Sequence, residues 1–315
     1  MDPDRRTLEA AHCWERADVV PGRPQMTAFR RRLRYHQAMW REANGHPIGS
    51  QPIVPKDDKP SRLLGSRIPF EYARATAANF LTGAAQDAVE ARLAAKEPHQ
   101  MLDARRLWAD LLSSMPMCFN LFGELAADLA LAERAVHAWW PGSQGEVVDV
   151  RFEHSPGRLD PAYLGNRSAF DVAFMMDRGD GTKGIIGVET KYHERAKAET
   201  AKPSRLARYQ EVAQSSGAFV ADVADAVNGT PLLQVWLDHL LVLSMLQHDD
   251  GVWRWGRFVL AYPEENRDFA DVSNEYRALL VDRSTFRAVT IEELLEAGAL
   301  PEGSVAAFRR RYLPA

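Results

Sequence analysis

Two opposite charges stand one residue apart at the end of an otherwise apolar segment, GIIGVETKY, residues 184–192. The segment is short, apolar and rich in β-branched residues, which predicts a buried strand. Because side chains alternate along a strand, Glu189 and Lys191 are expected to point to the same face. A buried face tolerates two charges when they are paired or share a bound ion. This pair is therefore the first candidate for a chemical site.

A second acid lies on the preceding strand candidate, SAFDVAFMMD, residues 168–177. The intervening turn, RGDGTK, contains two glycines that can adopt positive φ, which predicts a hairpin. Its register would make Asp171 and Glu189 near neighbours. Two adjacent carboxylates repel each other unless a cation lies between them, and their hard oxygen atoms suit Mg²⁺ or Mn²⁺. The hairpin therefore predicts a site for a divalent cation.

Lys191 would be a poor metal ligand beside these acids. It is suited instead to hold or deprotonate a water molecule, or to stabilise a developing negative charge. A divalent metal polarises a phosphate and lowers the pKa of the attacking water. Two carboxylates, a metal and a lysine therefore predict phosphodiester hydrolysis. The alternative, a structural ion pair between Lys191 and Glu189, would leave the acid on the other strand unexplained.

The elements that must position these residues alternate between helices and strands from about Asn120 onward. The pattern predicts an α/β fold with a mixed central sheet flanked by helices. A helix should begin at Pro231, a good first helical residue. The strand candidates are residues 146–154, 168–177, 184–192, 253–263 and 286–290.

The first part of the chain predicts a mainly helical region. Alanine-rich residues 69–96 predict a helix that Gly83 interrupts, and residues 101–140 predict a longer one that Pro116 interrupts. Residues 1–65 predict irregular structure with short helices. Within them, the Pro-, Gly- and Lys-rich segment 45–62 predicts an extended loop.

The acids, the lysine and the element order together resemble the PD-(D/E)XK nuclease superfamily. The matching residues are Asp171 and then Glu189-Thr190-Lys191, on two antiparallel strands. The order helix, three strands, helix, strand is similar to the superfamily's restriction-endonuclease-like core. Phe170 stands where the superfamily's name has a proline. LLSSMPMCFNLFG, FEHSPGR, SAFDVAF and ETKYHE are similar to bacterial restriction-endonuclease-like proteins of that superfamily.

The resemblance implies two further site residues. An acid on the helix before the first strand often completes the metal site, and Glu124 stands there. A glutamine on the helix after the hairpin often lies near the active site, which points to Gln234. The alternatives are a surface glutamate and a polar residue on a helix face. The implied catalytic set is Asp171, Glu189, Lys191, Glu124 and Gln234, with Asp171, Glu189 and Glu124 binding Mg²⁺ or Mn²⁺.

The resemblance implies that the protein is a divalent-metal-dependent endonuclease. Restriction or phage defence is the biological role that it implies. The enzyme would hydrolyse DNA by metal-activated water and leave a 5′-phosphate and a 3′-hydroxyl. Double-stranded DNA is the expected partner, and cutting both strands would favour a homodimer. Two alternatives stay open: a catalytically silent member that binds nucleic acid or protein, and a Mg²⁺-dependent hydrolase of RNA or nucleotides.

Length and composition set the wider limits. The 315 residues are 46% hydrophobic and 26% charged, as in soluble globular proteins. We predict a helical N-terminal region for recognition or dimerisation at 1–100, a nuclease-like core at 101–265, and a C-terminal helical and strand extension at 266–315. No apolar run is long enough for a bilayer, and no signal peptide is apparent, so a cytoplasmic location without membrane partners is expected.

The charge distribution excludes a general coat of nucleic acid but permits a local basic groove, because the formal net charge is −4. Three basic segments could line such a groove: residues 29–36, 194–208 and 308–312. Each one taken alone is interpreted more readily as a solvated face than as a binding site.

Overall fold

The computed structural model describes residues 2–51 and 61–314. Residues 52–60, which belong to the predicted extended loop, lie outside the described residues. A short 3₁₀ helix occupies Arg16–Asp18. The remaining elements, in chain order, are α1 (Arg5–Ala10), α2 (Pro24–Ala43), β1 (Gly49–Ser50), β2 (Leu63–Leu64), α3 (Phe70–Thr76), α4 (Gly83–Ala94), α5 (Ala104–Ala109), α6 (Ser114–Ala127), α7 (Leu129–Trp139), β3 (Glu146–His154), β4 (Phe170–Asp177), β5 (Lys183–Thr190), α8 (Pro203–Ser216), α9 (Val223–Val227), α10 (Leu233–Leu246), β6 (Trp253–Tyr262), α11 (Arg267–Ala278), β7 (Phe286–Thr290), α12 (Ile291–Glu296) and α13 (Glu302–Tyr312).

The chain divides into two compact units. The first consists of Met1–Leu93, Leu102–Gly123 and Pro301–Ala315, and the second of Ala94–Met101 and Glu124–Leu300. The division does not follow the boundaries predicted at residues 100 and 265: β7 shares a unit with the other sheet strands, and α13 belongs to the first unit. A recognition or dimerisation role for the first hundred residues stays a prediction.

A 20-residue helix, α2, is the longest element of the first unit. The prediction of only short helices before residue 65 was therefore wrong. The helix begins at Pro24, whose fixed φ suits a first helical position. Its basic segment is also less solvated than predicted: Arg34 donates to the buried Asp18 carboxylate at 2.8 and 2.9 Å, and Arg30 lies 3.5 Å from the same carboxylate. Two arginines of this segment are thus ion-pair partners within the unit.

Pro116 does not interrupt a helix, which corrects the prediction. It lies in the first turn of α6, where the missing N–H has no intrahelical partner to lose. The helix ends at Ala127 instead, and Asp128 caps the next one by accepting a hydrogen bond from the Leu131 amide at 2.9 Å. Helices α6 and α7 are thus separate, and so are α3 and α4.

The second unit is built on a five-stranded mixed sheet with the order β3-β4-β5-β6-β7. The first three strands are antiparallel neighbours, and β6 and β7 continue parallel to β5. The hairpin has the predicted register, with Asp177 opposite Lys183 and Val172 opposite Val188. Gly179 has a φ of 74°, as the tight turn requires. The predicted mixed sheet is confirmed.

Apolar packing on the sheet fixes the helix that carries Gln234. Helix α10 begins at Leu233, two residues after the predicted start at Pro231; it packs on β5 and β6, and most of its residues are buried. Its Trp236 and Leu240 share a core with Ile185 and Phe258 of the sheet. Helix α7 ends at Trp139, and the ring of the next residue, Trp140, lies 5.7 Å from that of Phe174. The strands that bear the acids are therefore held by a dense apolar core.

Within the described residues, no single helix has both the length and the apolar character needed to cross a membrane. Helices α6 and α7 reach that length and composition only when they are taken together, and the chain bends between them.

Candidate active site

A cavity of about 460 Å³ lies in the second unit, where β4 begins and β5 ends. Asp171 and Glu189 both line it, and Gln234 reaches it from α10. The hairpin register accounts for the first two, because the pair that follows Val172 and Val188 along the ladder is Asp171 and Glu189. The structure thus brings these three predicted residues to one cavity.

Glu189, Lys191 and Gln234 form a closed set of hydrogen bonds. The Lys191 ammonium donates to Glu189 Oε1 at 2.6 Å and to Gln234 Oε1 at 3.0 Å. The Gln234 amide group donates in turn to Glu189 Oε1 at 3.0 Å. Glu189 and Lys191 are only 8% and 7% exposed. Their side chains therefore share a face, and the glutamine fixes the position of both charged groups.

Asp171 is held by the residue that separates Glu189 from Lys191. The backbone amide and the hydroxyl of Thr190 both donate to Asp171 Oδ2, at 2.8 and 2.7 Å. Oδ1 receives no hydrogen bond from the part of the chain that the structure describes. One oxygen of Asp171 thus orients the carboxylate, and the other is left for a ligand.

Three further carboxylates, those of Glu153, Glu199 and Asp238, line the same cavity, and none of them was predicted from the sequence. Asp238 stands four residues after Gln234, so the two lie on one face of α10. That spacing was a usable signal. Glu153 stands at the end of β3, beside the start of β4, where His154 pairs with Phe170. Its φ of 50°, which is rare for a residue other than glycine, was not readable from the sequence.

An excess of buried negative charge dominates the electrostatics of the cavity. Burial raises the pKa of Asp171. Burial and the Asp171 carboxylate raise the pKa of Glu189. Burial, together with Glu189, raises the pKa of Asp238. Burial alone would lower the pKa of Lys191, but Glu189 and then Asp171 outweigh it and raise that pKa. The carboxyl groups of Asp171, Glu189 and Asp238 thus lie close to one buried ammonium group, that of Lys191. The site therefore favours the binding of protons and of cations.

Glu124 is not among the described residues that line the cavity. It lies half-buried on α6, close to the end of that helix. The structure therefore does not place it in the cavity with Asp171 and Glu189 as the implied ligand set requires, and the acids that share that cavity are Glu153, Glu199 and Asp238. A role for Glu124 in metal binding stays a prediction.

The donor atoms fit a hard divalent cation held partly by water and substrate. Over residues 2–51 and 61–314, no group of three or more His, Cys, Asp or Glu side chains forms a metal cage. Mg²⁺ seldom needs one, because it keeps several waters and is commonly bound by one or two carboxylates plus substrate phosphates. Asp171 and Glu189 supply two carboxylates, and their repulsion is the kind that a cation relieves.

Several other polar residues near these strands are structural. His239 is fully buried and bonds Tyr276 and Thr285, at 2.9 Å in each case. Arg158 donates to Glu97 and to the Glu153 carbonyl, both at 2.6 Å. Neither residue lines the cavity.

Comparison with protein-family models matches residues 24–314 to the PD-(D/E)XK nuclease superfamily. The chain belongs to this superfamily. The match covers nearly the whole chain, which confirms the resemblance inferred from Asp171 and Glu189-Thr190-Lys191. The restriction-endonuclease-like fold class is confirmed with it, since the PD-(D/E)XK core has a mixed sheet flanked by helices. Searches of curated proteins and of solved structures gave no match.

Proposed function

We propose that this PD-(D/E)XK protein is a divalent-metal-dependent endonuclease that hydrolyses phosphodiester bonds of DNA. One observation carries the proposal: the carboxylates of Asp171 and Glu189 line a single cavity, and the Lys191 ammonium lies 2.6 Å from Glu189. A purely structural ion pair would account for Glu189 and Lys191 alone. It would not account for a second carboxylate, the half-buried Asp171, on the neighbouring strand.

Asp171 and Glu189 would hold the cation, with Mg²⁺ or Mn²⁺ as the candidates. When bound there, a divalent cation polarises the phosphate and lowers the pKa of an attacking water molecule. Thr190 orients Asp171, and Gln234 holds Glu189 and Lys191 in place through two hydrogen bonds. The Lys191 ammonium is suited to stabilise negative charge that develops on the phosphate.

The test is cleavage of plasmid DNA by the native protein with Mg²⁺, with Mn²⁺ and with EDTA. We expect cutting with either metal and none with EDTA, and we expect Lys191→Ala to lose it. Lys197→Ala, which removes an exposed lysine six residues further on, is the matched control and should cut normally. Metal-dependent cutting that survives Lys191→Ala would remove Lys191 from the mechanism. A native protein that cuts no DNA with either metal would overturn the proposal.

The proposal extends to double-stranded DNA, to a homodimer and to a defence role in the cytoplasm. Cutting both strands of a duplex is served by two copies of the site related by twofold symmetry. Sedimentation with and without duplex DNA should show the dimer, and a monomer that only nicks one strand would contradict it.

The proposed defence role is tested in cells: those that express the native protein should resist phage better than those that express Lys191→Ala. Cell fractionation tests the location.

A further inference from the structure

We propose that three cationic side chains on the cavity wall, Arg167, Lys202 and Arg205, bind backbone phosphates of the nucleic acid next to the bond that is cut. We call these residues the phosphate wall. The inference rests on the proposed nuclease function, and it names the surface by which the same site would hold its substrate.

The three residues reach the cavity from two separate segments. Arg167 precedes β4, the strand that bears Asp171, and Lys202 immediately precedes α8. Arg205 lies in the first turn of α8, and its backbone amide donates to the Lys202 carbonyl at 2.9 Å. Arg167 and Lys202 are exposed and Arg205 is half-buried. The wall is therefore open to solvent and lies on the same cavity as the carboxylates.

The phosphate wall has no partner of its own within the described residues: none of its three side chains makes a hydrogen bond or an ion pair there. A nearby arginine, by contrast, makes hydrogen bonds and an ion pair within the protein. Arg208, one turn along the same helix, donates to the carbonyls of Ala162 and Tyr163 at 2.8 Å and lies 2.9 Å from Glu211. The basic segment 194–208 thus contains both a structural arginine and cations that are left for a ligand.

The acids of the cavity explain why a phosphate ligand needs this wall. Any phosphodiester that approaches Asp171 and Glu189 is repelled by the acids of a cavity that also carries Glu153, Asp238 and the exposed Glu199. Cations beside the acids offset that repulsion on the substrate. The formal net charge of −4 makes such a local concentration of cations necessary for nucleic-acid binding.

The polymer is the favoured ligand, because three separate cations match successive backbone phosphates better than one phosphate group. Each phosphate that a cation neutralises contributes about 0.9 to the slope of log affinity against log salt for duplex DNA, and about 0.7 for a single strand. The slope lost for each cation removed therefore distinguishes duplex DNA from a single strand. The total loss when all three cations are removed gives the number of phosphate contacts.

The experiment is fluorescence anisotropy of a labelled DNA duplex, in EDTA to prevent cleavage, over a series of salt concentrations. The proteins are the native chain, Arg167→Gln, Lys202→Gln, Arg205→Gln and the triple variant. Each single change should reduce the slope by about 0.9 and the triple change by about three times as much. Arg287→Gln is the matched control, because Arg287 is exposed on β7 and does not line the cavity. It should keep the native slope.

The outcomes separate this inference from the proposed function. A triple variant that keeps the native slope, while the native protein cuts DNA, would overturn the phosphate wall alone. An equal loss of slope in Arg287→Gln would also overturn it, since the effect would then belong to overall charge. A nucleoside monophosphate that binds as tightly as the duplex would replace the polymer with a nucleotide ligand. If the native protein neither binds nor cuts nucleic acid, both proposals fail. Unchanged melting temperatures would show that the variants are folded.

Discussion

At the scale of single residues, the hydrogen bonds around Glu189 Oε1 tie the candidate chemistry to the fold. Lys191 and Gln234 both donate to this oxygen, and the ammonium is as deeply buried as the carboxylate. Removing one partner of a buried ion pair costs about 3–5 kcal/mol, because the other charge is left uncompensated. Variants at Glu189 and Lys191 therefore need a check of folding beside every measurement of activity.

Gln234 allows the hydrogen bonds around Glu189 and Lys191 to be tested without leaving a buried charge uncompensated. We expect Gln234→Ala to reduce the rate of DNA cleavage about 10- to 100-fold, or about 1.4–2.7 kcal/mol in activation free energy. That is close to the contribution of one hydrogen bond to a charged group, about 1.5–3 kcal/mol, because Glu189 and Lys191 still hold each other after the glutamine is lost. Steady-state kinetics should place the loss in kcat. Gln247→Ala is the control: that glutamine follows the same helix but bonds the Val212 carbonyl at 3.0 Å. An unchanged rate in Gln234→Ala would leave this glutamine a polar residue of the helix face.

Asp171 should show a conflict between stability and metal binding. Burial raises the pKa of Asp171, so its ionised form disfavours folding at neutral pH when no cation is present. Asp171→Asn keeps an acceptor for Thr190 and removes the charge. We expect its melting temperature in EDTA to equal or exceed the native value.

Added Mg²⁺ or Mn²⁺ should then raise the melting temperature of the native protein and leave that of Asp171→Asn unchanged, because only the native chain binds the cation. Asp180→Asn, in the exposed hairpin turn, is the control and should respond to metal like the native protein. A full metal response in Asp171→Asn would exclude this carboxylate as a ligand.

At the scale of elements, the β4–β5 hairpin places Asp171 beside Glu189, and one close contact supports it. A β-carbon on Gly187 would lie 2.4 Å from the ring of Phe170, which is fully buried. Phe170 is the residue that stands where the superfamily's name has a proline. The large ring before Asp171 is therefore accommodated by the absence of a side chain on the neighbouring strand.

We expect Gly187→Ala to lower the free energy of unfolding by about 1–3 kcal/mol, the usual cost of overpacking a dense core. Urea denaturation measures it. The double variant Gly187→Ala with Phe170→Leu should cost less than the two single changes added together, because the smaller side chain leaves room for the new methyl group. Gly303→Ala, where a β-carbon would meet nothing within 4 Å, should not destabilise the protein. Additive costs in the double variant would show that the two sites do not interact.

At the scale of the whole molecule, buried neutral histidines couple folding to pH. Burial lowers the pKa of His239 to about 3 and that of His154 to about 4. An unfolded chain binds protons at these residues below a pH of about 6.5, whereas the folded chain resists them. Stability from each group is therefore complete above that pH and is lost as the pH falls toward the folded pKa.

His239→Gln should weaken this dependence. Between a pH of about 6 and 4, His239 alone should lower the free energy of unfolding by up to about 1.4 kcal/mol for each pH unit. Urea denaturation of the native protein at several pH values gives the slope, and the variant should lose stability less steeply. Equal slopes would mean that His239 is protonated in the folded protein as readily as in the unfolded one.

Local patterns determined much of the fold. The strands at 146–154 and 286–290 have the predicted limits, and the hairpin has the predicted register. Alternation and turn chemistry depend on residues that are close together in the chain, so the shared face of Glu189 and Lys191 could be predicted. Helix limits are harder to predict: Pro116 predicts a break, yet it stands in the first turn of α6, where proline is tolerated.

Only the tertiary structure decided which polar groups meet at the cavity. Glu153, Glu199 and Asp238 line it and Glu124 does not, although all four are acids. Among the basic residues of segment 194–208, Lys202 and Arg205 line the cavity, whereas Arg208 donates hydrogen bonds to the backbone carbonyls of Ala162 and Tyr163. The sequence by itself determined the strands, the hairpin and the pair Glu189 and Lys191. The convergence of separate elements depended on the packing of helices on a mixed sheet, which no local spacing encodes.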